Sequence, residues 1–227
     1  MIRVTENLAL IKDLLATTAV EAGRDPNTVK LLAVSKKQPL ERILAAAALG
    51  QRDFGENIVQ EGLDKIHATT DSRISWHFIG HLQSNKTRAV AENFDWVHTI
   101  DKPKIVRRLS QQRPAGLGAL NVCIQVNIDN EPSKSGAHID QVASLAAACL
   151  ELPNIRVRGL MCLPAIREGF AAQREPFAKL RELFDELRQG GIQMDTLSMG
   201  MSADYRAAIF EGATIVRIGT ALFGERG

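Results

Sequence analysis

The sequence predicts a single (β/α)8 barrel of the TIM type, and three observations predict it. Short apolar runs alternate with longer segments of helical spacing from one end of the chain to the other. Eight such runs occur in 227 residues, a usual length for one barrel. Several runs are apolar throughout, as in a parallel sheet covered by helices, and no Gly-x-Gly-x-x-Gly follows the first, which disfavours an open nucleotide-binding sheet.

The elements follow in order. Residues 5–22 place Leu8, Ile11, Leu15 and Ala19 on one helical face, with Gly23 as a stop. The first strand run is 30–35. A helix over 39–49 follows it, with Pro39 suited to the first turn and Gly50 closing the end. The remaining strand runs are 53–55, 75–79, 96–100, 121–126, 157–161, 196–198 and 214–218. Helical stretches lie between them, near 57–68, 83–92, 102–112, 138–151, 170–189 and 202–211. No linker, low-complexity stretch or short repeat interrupts the pattern, so residues 1–227 are expected to form one domain.

Composition excludes several classes of function. Twenty-eight basic against 26 acidic residues leave a net charge of +2, which argues against nucleic acid or an anionic membrane as partner. No apolar run reaches the ~18 residues of a membrane span, and the N-terminus lacks the apolar core of a signal peptide. The three cysteines are too few and too scattered for a disulfide framework or a zinc knuckle. A cytoplasmic location and a monomer are expected.

Barrel active sites lie at the C-terminal ends of the strands, so the residues that close each run carry the candidate chemistry. In the first run, period two puts Leu32, Val34 and Lys36 on one face. A desolvated lysine there favours the neutral amine that attacks carbonyls to form a Schiff base. A solvated lysine, like its neighbour Lys37, is the competing reading. The run SMGMS (198–202) leaves the seventh strand and opens a helix, with Ser202 as N-cap and Asp204 in the first turn. Gly200 allows close backbone approach there, and the amides at the helix start can bind an anion. With Gly219 and Thr220 after the eighth strand, this makes a phosphate site in the two loops where such barrels often have one. An ordinary capped helix and a turn would look the same.

Arg217 interrupts the eighth run and needs a partner, either a structural carboxylate or a ligand. His77 and His81 stand about 13 Å apart if extended, too far to share a metal ion, so no metal site is expected. Asn57 suits an N-cap or a polar site group. Cys162 has no neighbouring base to activate it. The basic segment 85–88 reads as a solvated helix face.

These residues also carry a resemblance. AVSK (33–36) with Pro39, then FGEN (54–57) with Gln60 and Glu61, resembles the pyridoxal phosphate homeostasis protein family. So do WHFIG (76–80) running into LQSNK (82–86), SKSG (133–136), GLM (159–161), SMGMS (198–202) with Asp204, and VRIGT (216–220) with Phe223 and Gly224. The match runs in order along nearly the whole chain. Cys162, Leu163 and Gln38 depart from the commoner pattern without touching the proposed attachment or phosphate groups.

The resemblance implies a barrel similar to the alanine racemase N-terminal domain, the fold-type III arrangement, with pyridoxal 5′-phosphate at its mouth. It implies a Schiff base on Lys36 and phosphate contacts from Ser198, Gly200, Met201, Ser202, Gly219 and Thr220. Arg217 would face the pyridine nitrogen, and Asn57 and His77 would line the pocket. A permanently charged arginine disfavours a second positive charge on the ring, which weakens carbanion chemistry. Racemases of this type add a second domain, and the sequence reaches Gly227 soon after the eighth strand. The expected function is therefore carriage or buffering of the cofactor, with delivery to apoenzymes that depend on it left open as a third reading. A weakly active racemase-like enzyme is the alternative.

Overall fold

The computed structural model describes residues 4–131 and 134–224, so Ser133 of the SKSG motif lies outside the described residues. It opens with helix α1 (Val4–Glu21), which buries Val4, Leu8, Ile11, Leu15 and Ala19 on the face the spacing predicts. Strand β1 (Lys30–Val34) and helix α2 (Leu40–Ala48) follow. Next come β2 (Asp53–Glu56), α3 (Val59–Ala68), β3 (Ser75–Phe78), α4 (Thr87–Asn93), β4 (Trp96–Ile100) and α5 (Pro103–Gln112). The second half runs β5 (Leu120–Val126), α6 (Ile139–Leu150), β6 (Ile155–Cys162), α7 (Phe170–Gln189), β7 (Thr196–Ser198), α8 (Tyr205–Phe210), β8 (Ile215–Ile218) and α9 (Thr220–Phe223). No described helix is long and apolar enough to cross a membrane.

The eight strands form a closed parallel barrel in chain order, and β8 returns to β1 with Lys30 opposite Ile215 and Ala33 opposite Ile218. Helix α1 packs against α2, α8 and α9 over that closing seam. Asn7 anchors it by donating to the Leu222 carbonyl at 3.0 Å.

The two boundaries furthest from expectation differ for local reasons. The stretch 83–92 begins as a 3-10 turn, Ser84–Lys86, before α4 takes over. Helix α8 starts at Tyr205 rather than at residue 202. The Asp204 carboxylate accepts the Met201 amide at 2.6 Å and holds residues 202–204 in a turn, so Ser202 is not the cap. The four-residue α9 was not anticipated.

Apolar burial divides into two clusters. The large one fills the shell between sheet and helices, and the small one, Trp96, Cys123 and Met161, sits apart from it. Barrels of this kind usually fill their interior with branched aliphatics. Here His77, His98, Ser198 and Arg217 are buried and bonded to one another from strands on opposite sides of the barrel.

Candidate functional site

A cavity of about 500 Å³ opens at the C-terminal ends of the strands. Val34, Lys36, Asn57, Ile79, His81, Met161, Met201, Ser202, Arg217, Gly219 and Thr220 are among its lining residues. Seven of these are predicted site residues, drawn from β1, β2, β7 and β8 or the loops after them. The volume is that of an ordinary small-molecule site.

Lys36 lies two residues beyond β1, half-buried at the cavity wall. The turn that carries it is fixed on both sides. Before it, the Ser35 amide donates to the Gly55 carbonyl at 3.0 Å, and the Ser35 hydroxyl donates to Glu56 Oε1 at 2.6 Å. Lys65 Nζ donates to the Ser35 carbonyl, to Glu56 Oε1 and to Glu61 Oε1, each at 2.7 Å. After it, Lys37 adopts a left-handed backbone with φ 58°, and its amide donates to the Glu61 carboxylate. A non-glycine residue there costs energy, and the carboxylate on its N–H offsets that cost. Burial pushes the Glu56 carboxyl above its ordinary range, against the pull of hydrogen bonds from Lys65 and Ser35.

The opposite wall is built from small residues. Gly200 sits at φ +90°, and a Cβ there would stand 2.6 Å from that of Ala208, so α8 closes directly onto it. No acceptor among the described residues takes the amide hydrogens of Ser202, Ala203 or Thr220. Free N–H groups grouped this way suit an anion. At Gly219 a Cβ would press on the Val34 carbonyl at 3.1 Å.

Arg217 occupies the cavity floor at 4% exposure. Its NH1 donates to the Ser198 carbonyl at 2.6 Å and the Ser198 hydroxyl at 2.9 Å, and its NH2 donates to the Cys162 carbonyl at 2.9 Å. The ends of β6 and β7 thus pin the guanidinium.

Three predicted residues stand outside the lining. His77 is wholly buried in the barrel, between Asp53 at 3.0 Å and His98 at 2.9 Å, and stacks on Trp96. Ser198 is equally buried, its hydroxyl held between Arg217 and His98 Nδ1. Gly200 supports the turn from behind. The polar site groups that sequence reasoning passed over are His98, Asp53 and Lys65. The alternation of Trp96 and His98 along β4 was the available signal for His98. All three cysteines are buried, and burial pushes their thiols up to about 12.

The alanine racemase N-terminal domain family matches residues 11–227. A Pseudomonas aeruginosa relative named pyridoxal phosphate homeostasis protein is 54% identical over 226 residues, covering 100% of this chain and 97% of that protein. The chain belongs to the pyridoxal phosphate homeostasis protein family. A member from Escherichia coli K12 is 50% identical, covering 98% of this chain and 97% of its own. Among solved structures, PipY of Synechococcus elongatus with PLP bound superposes with a TM-score of 0.86 at 36% identity, over 98% of this chain and 100% of that one. Alanine racemase from Corynebacterium glutamicum shares the fold, with a TM-score of 0.73 at 17% identity, over 97% of this chain and 61% of that one.

Proposed function

We propose that this chain binds pyridoxal 5′-phosphate, attached through Lys36, and carries or buffers it without robust catalysis. The observation that carries this reading is the meeting of three groups in one cavity: the Lys36 amine, the Arg217 cation and the amides of two small-residue turns. Sequence kinship with homeostasis proteins, and PLP in the PipY structure, supports the same ligand.

The residues present fit such a ligand. Asn57 Oδ1 is buried at the wall with no hydrogen-bond partner, an acceptor that a hydroxyl on a bound ring would satisfy. Ser202, Gly219 and Thr220, with Met201 and Gly200 shaping the first turn, would hold the phosphate. Bound there, the cofactor supplies an aldehyde that condenses reversibly with amines and a ring that withdraws electrons. Lys36 provides the amine, on a turn that Lys65 and Glu61 hold rigid. Arg217 keeps a fixed positive charge at the floor and cannot accept a proton, which disfavours a further positive charge beside it. Ser198 and His77 act from below, through Arg217, rather than on the ligand. In this reading residues 1–227 are one cytoplasmic, monomeric domain, and apoenzymes that depend on the cofactor are its recipients.

Reconstitution, borohydride reduction and peptide mapping test the proposal. The expected result is a visible absorption band and an adduct on Lys36. An adduct on another lysine, or none, overturns it. Incubating the holoprotein with several L-amino acids in deuterated water tests the lack of catalysis. Exchange of the α-proton that vanishes in Lys36→Ala would overturn that part.

A further inference from the structure

Four hydrogen bonds connect the cavity floor to the opposite end of the barrel. They run from Arg217 NH1 to Ser198 Oγ (2.9 Å), Ser198 Oγ to His98 Nδ1 (2.8 Å), His98 Nε2 to His77 Nδ1 (2.9 Å) and His77 Nε2 to Asp53 Oδ1 (3.0 Å). Asp53 opens β2, at the N-terminal end of the strands, where the half-exposed Lys30 ammonium stands 3.4 Å away. Both histidines and Ser198 are completely buried.

The Ser75 hydroxyl also stands 3.3 Å from His77 Nε2, so the arrangement of donors and acceptors is decided by the shorter contact to Asp53. Burial alone would raise the Asp53 carboxyl, but its hydrogen bond to His77 and the neighbouring Lys30 ammonium outweigh it and hold the group below its ordinary range. The ionised carboxylate only accepts, so His77 carries its proton on Nε2. Burial lowers the pKa of His77, and of His98 still more, so both rings are neutral. Neutral His77 then presents Nδ1 as an acceptor, which places the His98 proton on Nε2. His98 Nδ1 accepts in turn, and takes the Ser198 hydroxyl hydrogen. What remains on Ser198 Oγ is lone pairs, facing a guanidinium that can only donate. Every hydrogen points from Arg217 towards Asp53.

We propose that Asp53 is a positioning residue for Arg217: through His77, His98 and Ser198 it fixes the direction of the chain and holds the cation at the cavity floor. The buried arginine thereby finds its carboxylate three groups away. The consequence for the cofactor rests on the function proposed above, whereas the hydrogen-bond direction does not.

Two measurements test this. In the protein without cofactor, long-range proton–nitrogen correlation on ¹⁵N-histidine should show His77 and His98 as the Nε2–H tautomer. In Asp53→Asn the amide can offer either a donor or an acceptor, so Nδ1–H signals should appear; Asp53→Glu should restore Nε2–H. An Nδ1–H tautomer or a charged ring at either position in the parent protein overturns the proposal, and this holds even if Asp53→Asn fails to fold. The second measurement is retention of pyridoxal phosphate, which should weaken about tenfold in Asp53→Asn, as for one lost charge-assisted contact. A cofactor analogue with carbon in place of the ring nitrogen should lose far less. Equal losses for both ligands, or no loss for either, overturn the positioning role. Failure of the parent protein to attach pyridoxal phosphate at Lys36 would instead overturn the proposed function and leave the tautomer result standing.

Discussion

Replacing Lys65 by Met should destabilise the protein by about 3 kcal/mol, because it strands a carboxylate beneath the Lys36 turn. Lys65 Nζ makes three bonds of 2.7 Å, and its partner Glu56 is completely buried with Oε2 already lacking a partner. Met retains the apolar stem but leaves Glu56 with the Ser35 hydroxyl alone. Removing one member of a buried pair costs about 3–5 kcal/mol, and the low end applies because Glu56 can escape by taking a proton. For 227 residues the unfolding entropy is about 0.5 kcal/mol/K, so the melting temperature should fall by about 6 °C.

The pH dependence has a definite sign. Burial raises the Glu56 carboxyl above its ordinary 4.5, and the Lys65 hydrogen bond opposes that. Without Lys65 the folded-state value climbs further while the unfolded value stays. A raised carboxyl contributes stability that is present below the unfolded pKa and lost as pH rises through the folded one. The deficit of Lys65→Met should therefore grow from acid towards neutral pH. Urea unfolding followed by circular dichroism at several pH values, with the m-value unchanged, measures it. Adding Glu56→Gln should recover part of the loss, since no charge is then stranded. A loss below about 1 kcal/mol at neutral pH, or a double variant as weak as the sum of the singles, would refute the reasoning.

Three further outcomes follow from the structure. In Gly159→Ala the new Cβ would stand 1.7 Å from the Thr196 carbonyl of β7, so the variant should lose about 3 kcal/mol or more in urea unfolding; a change within about 0.5 kcal/mol would contradict that packing. The native protein at pH 8 should leave an aromatic disulfide reagent unreacted, and all three thiols should titrate once guanidinium unfolds it, because burial holds them near 12. Rapid labelling before unfolding would count against this. Arg113 donates to the carbonyls of Ala91, Phe94 and Gly118, so Arg113→Met should cost about 2–4 kcal/mol by calorimetry; an unchanged melting curve would show those carbonyls to be satisfied otherwise.

The barrel was legible because a covered parallel strand needs an apolar run and each crossover needs an amphipathic helix, and both periods are written locally. Lys36, Arg217, Gly219 and Thr220 were read from within or just beyond β1 and β8, and all four line the cavity. Helix α8 was misjudged by three residues because the Asp204 side chain competes for a backbone amide, which no periodicity records. Lys65 is one more charge within the predicted helix at 57–68; only closure of β1 against β2 brings Ser35 and Glu56 to it. His98 and Asp53 stayed hidden for the same reason, as their partners lie on other strands, 24 residues away for Asp53 and 100 for the Ser198 that His98 meets.

That distance bears on how the molecule folds. His98 and Ser198 are 100 residues apart, and the chain of bonds from Asp53 to Arg217 draws on β2, β3, β4, β7 and β8. A nascent or half-built barrel would enclose polar rings with nothing to bond, so drying the interior brings no gain until the last strands arrive. Closure should therefore be a late, all-or-none event. Fragments that end before β7 should stay hydrated and loose, which makes the polar interior a checkpoint on completion of the barrel.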